Sequence, residues 1–130
     1  TEYLKKLGVD RRSMAMFATN GQLTYLYSHA LCFVYPSIYE GFGLPILEAW
    51  EAGCPIALSQ ASCFPEIAGD GGEYFDPLSH HSIAEAIGRV IYDDARRADL
   101  QGRASRLLPD FTWDRTAAKT AEVYRGLVNV

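Results

Sequence analysis

Residues 31–53, LCFVYPSIYEGFGLPILEAWEAG, read as strand, loop and helix, and the rest of the chain is arranged around them. Residues 31–35 form a short apolar run of the kind that makes a strand buried on both faces, and Pro36 and Ser37 end it. In the loop that follows, Gly41 and Gly43 lack the Cβ that would keep a bulky ligand off the backbone. Residues 41–44 can therefore present bare N–H groups at close range. Pro45 suits a first helical turn, where its fixed φ and missing N–H cost nothing. Gly53 before Cys54 and Pro55 is a stop, so the pattern predicts a helix over residues 45–52. That helix points its N-terminus into the glycine loop. Unpaired N–H groups and a partial charge of roughly +0.5 at that end make an anion site, and phosphate is the commonest biological anion to use one.

Two carboxylates frame the site: Glu40 just before the glycines and Glu48 about one turn into the helix, in the spacing E-x7-E. Carboxylates repel phosphate, so the functional reading has them accept hydrogen bonds from hydroxyls flanking it, as on ribose or hexose rings. The other reading of the charge pattern is that Glu48 complements the helix N-terminus and Glu40 is solvated. If the loop is a ligand contact, valine at position 43 is expected to abolish binding while moving the thermal midpoint by only a few degrees.

The series YPSIYEGFGLPILEAWEAGCPI resembles the donor-sugar motif of the retaining glycosyltransferases of family 4, which have the two-domain GT-B fold. The resemblance continues through Phe64-Pro65-Glu66-Ile67, Gly69-Asp70-Gly71-Gly72, Asp76-Pro77 and Phe111-Thr112-Trp113, and so covers nearly the whole chain. It implies that Glu40 lies by the donor sugar ring and serves as the catalytic carboxylate. It implies that Gly41, Phe42, Gly43 and Leu44 hold the sugar and diphosphate through backbone N–H groups, and that Glu48 binds the nucleotide ribose. The loop around Thr19, Asn20 and Gly21 would lie near the base, although turn chemistry explains those residues equally well. No metal or other cofactor is implied; the nucleotide-diphosphate sugar is a substrate. The acceptor, a glycan, lipid or small molecule, would be bound by an N-terminal domain.

At 130 residues the chain is the size of one domain, and 48% hydrophobic residues make it globular. A net charge of −4 argues against a nucleic-acid partner. Between Arg12 and Arg89 there is no Lys or Arg, while the same interval holds Glu40, Glu48, Glu51, Glu66, Asp70, Glu73, Asp76 and Glu85. A diphosphate bound there needs cations from elsewhere. Cys32, Cys54 and Cys63, set among small or apolar neighbours, read as buried free thiols of a reducing compartment. No run approaches the roughly 20 apolar residues of a membrane span, and no signal peptide is visible. The expected location is cytoplasmic, or peripheral to the inner membrane for the full-length protein. An opening on Thr1 rather than Met fits an excised piece.

Along the chain, residues 1–7 read as the end of a helix stopped by Gly8, and residues 13–18 as a buried strand with Met14 and Met16 in the core. Residues 22–29 read as a short helix, residues 55–59 as the next strand, and residues 73–75 as the last. Strand, helix and strand in that order require a parallel sheet. Ala61 and Ser62, at the carboxyl end of the strand over 55–59, face the same crevice as the glycine loop and are marginal site candidates. Further on, Ser82 and Glu85 read as a capping box behind two loop histidines, His80 and His81. Asp93 and Asp94 cap a helix with Arg96, Arg97, Arg103 and Arg106 on its wet face. Thr112 caps a last helix with Ala117, Ala121, Tyr124 and Val128 as its apolar stripe.

The expected fold is therefore α/β: a Rossmann-like, three-layer parallel sheet with helices on both faces, part of a GT-B C-terminal domain. About four strands are visible where a mononucleotide-type domain supplies about five or six, so residues 1–130 are expected to be one domain truncated at its N-terminal side. An unpaired sheet edge would then be covered by a rearranged terminus or by a second copy, giving a homo-oligomer. The expected function is donor binding for a retaining sugar transfer from a nucleotide-diphosphate sugar to an acceptor hydroxyl, with this piece alone inactive. The alternative is a non-catalytic sugar-nucleotide-binding or interaction module. A dinucleotide-binding oxidoreductase fits poorly, because Ile46 stands where the third fingerprint glycine belongs. A nucleophilic hydrolase lacks its G-x-S-x-G elbow.

Overall fold

Four consecutive buried residues, Ile56–Ser59, form β2, the centre of a three-stranded parallel sheet. The computed structural model describes residues 2–128. On one side β1 (Phe33–Tyr35) pairs with β2, Phe33 opposite Ile56 and Tyr35 opposite Leu58. On the other side β3 (Glu73–Phe75) pairs with it, Ala57 opposite Glu73 and Ser59 opposite Phe75.

The period-two alternation of side chains sorts the sheet into two faces. Ile56 and Leu58 turn towards one face together with Phe33, Tyr35 and Tyr74, where α2 (Asn20–His29), α3 (Leu44–Glu51) and α4 (Phe64–Ala68) pack through Tyr27, Ile46, Trp50, Phe64 and Ile67. Ala57 and Phe75 turn towards the other, covered by Ala86 and Val90 of α5 (His80–Ile91) and Leu100 of α6 (Asp94–Leu107). Ile46, Ile56, Leu58 and Phe64 are wholly buried, each contributing about 1.5–3 kcal/mol of hydrophobic stabilisation. Both crossovers, β1 to β2 through α3 and β2 to β3 through α4, run over the first face. The loops that lead into α3 and α4 therefore leave the carboxyl ends of adjacent strands and lie side by side.

Several expectations are corrected. Residues 13–18 are not a strand: they run as exposed coil, with Met14 at 84% and Phe17 at 104% exposure. A strand exists through the hydrogen bonds of a partner, and among the described residues β1 pairs only with β2, so the sheet has three strands. β1 is correspondingly half-buried rather than covered on both faces, and Leu31 lies outside it, exposed. Helix α5 begins earlier than the capping box at Ser82 and Glu85 requires. Asp76 Oδ1 accepts from the N–H of Leu78, and this turn brings Ser79 to the cap, where its Oγ accepts from the N–H of Ser82 at 3.2 Å. Ser82 Oγ instead accepts from the N–H of Asp76, and His80 and His81 lie in the first helical turn, His81 beside Glu85 at 3.3 Å.

Of the guanidinium groups of α6, Arg106 is exposed as expected, but Arg96, Arg97 and Arg103 are engaged in ion pairs. Glu73, buried at the start of β3, receives Arg89 Nε at 2.6 Å and Arg96 Nη2 at 2.8 Å, while Arg103 pairs with Asp99 and Asp70, and Arg97 with Asp94. Asp93 caps α6 and Thr112 caps α7 (Trp113–Val128) as the sequence implies. The apolar stripe of α7 is nevertheless exposed at Ala117, Tyr124 and Val128, with Ala121 half-buried. Cys32, Cys54 and Cys63 are free thiols, of which only Cys54 is fully buried.

Candidate functional site

The loop between β1 and α3 ends in Gly43, which caps α3 in the left-handed conformation, φ 99° and ψ 50°. Ile46 donates its N–H to the Gly43 carbonyl at 2.9 Å, closing the first turn, and Pro45 has no N–H to place. Among the described residues the N–H groups of Gly41, Phe42, Gly43 and Leu44 have no acceptor within the protein. Four successive free donors at the head of an eight-residue helix are a concentrated positive potential without a formal charge.

The two glycines have different reasons. A Cβ on Gly41 would meet nothing within 4 Å, so its bare backbone is open to approach. One on Gly43 would stand 2.9 Å from Phe64 Cε1 and 3.2 Å from Ile46 Cδ1, at a positive φ that side chains avoid. The expectation that valine at 43 barely disturbs folding is therefore wrong: that glycine is needed by the core under the loop.

Glu40, half-buried, sits two residues before Phe42 and is held by the loop after β2. Ser62 Oγ donates to the Glu40 carbonyl at 2.8 Å and accepts from the Glu40 N–H at 3.2 Å. Cys63 Sγ lies 3.3 Å from the same carbonyl and 3.1 Å from that of Phe42. From the strand side, Tyr35 faces the Glu40 carboxylate; burial first, and then that carboxylate, push the phenol up to about 12, so it stays a protonated donor. Ser62 was legible as a loop residue of the same crevice, but Cys63 and Tyr35 were not, because nothing local in the sequence predicts a contact across the sheet.

Helix α3 buries Ile46, Ala49 and Trp50 and leaves Glu48 and Glu51 on its wet side. The two acids, three residues apart, border a cleft of about 390 Å³ against Asn20, Thr24 and Tyr27 of α2. They also border one of about 340 Å³ against Leu108, Phe111 and Thr112 on the far side of α3. Burial and the nearby Glu48 carboxylate raise the Tyr27 phenol, which remains neutral beside it. Glu51 is a site-lining residue that the motif alone did not single out, although its i, i+3 spacing from Glu48 signals the shared face. Phe42 meets Phe111 edge-on with centroids 6.1 Å apart, tying the glycine loop to the segment before α7.

A parallel sheet with free donors and helix-borne carboxylates at the carboxyl ends of its strands is the arrangement with which α/β domains in general take anions that carry polar groups. The chain belongs to the family Glycosyl transferases group 1, which it matches over residues 2–106. It is 38% identical over 111 residues to O-antigen chain mannosyltransferase B of Escherichia coli, covering 85% of this chain and 29% of that one. It is 35% identical to MMP alpha-(1->4)-mannosyltransferase of Mycolicibacterium hassiacum, covering 82% and 27%. The chain thus spans less than a third of the length of these relatives. Sucrose-phosphate synthase from Thermosynechococcus elongatus superposes with a TM-score of 0.77 at 27% identity, covering 98% of this chain and 33% of that one. The C-terminal domain of a group 1 glycosyl transferase from Francisella tularensis superposes with a TM-score of 0.71 at 27% identity, covering 83% and 57%. The fold is that of GT-B glycosyltransferase domains, as the sequence motif implied.

Proposed function

We propose that these residues form the donor-binding part of a retaining glycosyltransferase of family 4 that moves a hexose from a nucleotide-diphosphate sugar to an acceptor hydroxyl. The observation that carries the reading is the run of four unpaired N–H groups from Gly41 to Leu44, flanked by Glu40 and Glu48. The diphosphate lies against those N–H groups and the N-terminus of α3. They stabilise the negative charge that grows on it as the glycosidic bond breaks, and being preorganised they need no rearrangement to do so. Glu40 faces the sugar ring, where its carboxylate favours the positive charge developing at the anomeric carbon. The nucleoside occupies the cleft between α2 and α3. There Glu48 accepts hydrogen bonds from the ribose hydroxyls, while Asn20 and Thr24 offer polar atoms to the base. No step in this scheme needs a metal ion. The acceptor is held by the rest of such an enzyme, and turnover needs both parts.

Glu48 is exposed, so its removal tests binding while leaving the buried face of α3 intact. Calorimetric titration with UDP-, GDP- and ADP-sugars is expected to show one that binds. Glu48→Ala is expected to weaken it by about 1.5–3 kcal/mol, the range for a hydrogen bond to a charged group. Unchanged affinity would remove Glu48 from the site, and no binding by any of the three would end the donor-site reading.

A further inference from the structure

We propose that Ser62 and Cys63, on the loop between β2 and α4, are positioning residues: together they clamp the backbone of residues 40–44 and so aim the free N–H groups at the head of α3. What the clamp serves rests on the donor-site reading above; that it exists rests on geometry. Ser62 has φ 54° and, among the described residues, is the sole non-glycine at positive φ. A Cβ makes that conformation costly, and such strain persists only where surrounding contacts over-determine it. Here one hydroxyl takes both backbone polar groups of Glu40, donating to its carbonyl and accepting from its N–H. Cys63 then draws the carbonyls of Glu40 and Phe42 towards the same loop.

The consequence follows from the planar trans peptide, in which a carbonyl and the next residue's N–H point in opposite directions. With the carbonyls of Glu40 and Phe42 tied inward to Ser62 and Cys63, the N–H groups of Gly41 and Gly43 are turned outward. Phe64, the first residue of α4, supports Gly43 from below, so three successive residues, Ser62, Cys63 and Phe64, fix the conformation of the glycine loop. A glycine at position 62 would adopt φ 54° without strain, yet it would leave the Glu40 backbone unheld. Serine there sacrifices local stability for a hydroxyl in a defined place.

The test separates loop order from global stability. Ser62→Gly relieves the strain, so its thermal midpoint should equal or exceed the parent's. In the nucleotide-free protein the Glu40 amide, which loses its acceptor, should exchange about fivefold faster or more, as expected for losing about one hydrogen bond, and the NMR order parameters of the free amides of residues 41–44 should fall. Cys63→Ala should lower the order parameters of the same loop amides, and Cys63→Ser, which keeps a donor, should restore them. Affinity for whichever of UDP, GDP or ADP binds the parent should fall about fivefold or more in Ser62→Gly. Unchanged order parameters at residues 41–44 overturn the clamp, and so does a lowered midpoint with faster exchange throughout the sheet, which would make Ser62 merely a folding residue. Loosening confined to residues 40–44, in a protein whose parent binds none of the three nucleotides, supports the clamp and overturns the donor-site reading.

Discussion

Glycine is the residue whose role a sequence states least clearly, and the loop before α3 holds two of them with opposite purposes. At Gly41 a side chain would point into open space, so Gly41→Val should fold normally and lose donor affinity. At Gly43 the positive φ alone makes a Cβ cost about 1–2 kcal/mol, and the contact with Phe64 adds to it. Gly43→Val should therefore lower the thermal midpoint strongly, with any loss of binding secondary to that. Thermal denaturation and calorimetry on the two variants check this, and equal midpoints would show that the core yields around residue 43. The residue types of the candidate site stand out in the sequence because glycines and carboxylates announce their chemistry. What was not legible is which of them the core also needs, since Phe64 belongs to α4 and its approach to Gly43 is set by tertiary packing. The hydroxyl of Ser62 is a similar case: its partner, Glu40, is visible only once β1 and β2 are paired.

Among the elements, those with strong local punctuation were read nearly to the residue. Pro45 and Gly53 bounded α3 to within one position, and Thr112 and Asp93 were identified as caps. Elements whose identity depends on a partner were misread: residues 13–18 have the composition of a strand without a neighbour to pair with, and the stripe of α7 is apolar without being covered. The start of α5 was misplaced because Ser79 and Ser82 are both competent caps, and the Asp76 turn decides between them. The sheet also carries a pH signature. In β3, burial and then the Asp70 carboxylate push the Tyr74 phenol, which donates to the Gly69 carbonyl at 2.8 Å, from 10.0 to about 12. In β1, burial above all pushes Tyr35 to about 12, and just before β1 it pushes the Cys32 thiol to about 11. These groups hold their protons more tightly when folded, so their contribution is complete below the unfolded values, 9.0 for the thiol and 10.0 for the phenols. It is lost as pH rises through about 11 and 12. Denaturant midpoints should thus fall across that alkaline window, and Tyr74→Phe should flatten the upper part of the fall. The same substitution should cost about 1 kcal/mol at neutral pH for the lost hydrogen bond.

At the scale of the whole molecule the sheet has two unlike ends. Where β3 begins, Arg89 and Arg96 converge on buried Glu73, with Arg103 and Arg97 engaged by aspartates nearby. Where β1 and β2 finish, residues 41–44 offer backbone dipoles, and the chain has no Lys or Arg from residue 13 to residue 88. Hydrogen bonds from fixed dipoles at contact distance are little affected by mobile ions, whereas attraction to side-chain cations spaced around a ligand weakens as the screening length shrinks from about 10 Å at 0.1 M to about 3 Å at 1 M ionic strength. A nucleoside diphosphate bound by this chain should consequently change in affinity by less than about threefold over that range. Should it fall tenfold or more, a guanidinium or ammonium group from another part of the chain must reach the phosphates. Phosphate recognition here is thus expected to be tolerant of salt, a property of the backbone's shape rather than of the molecule's charge.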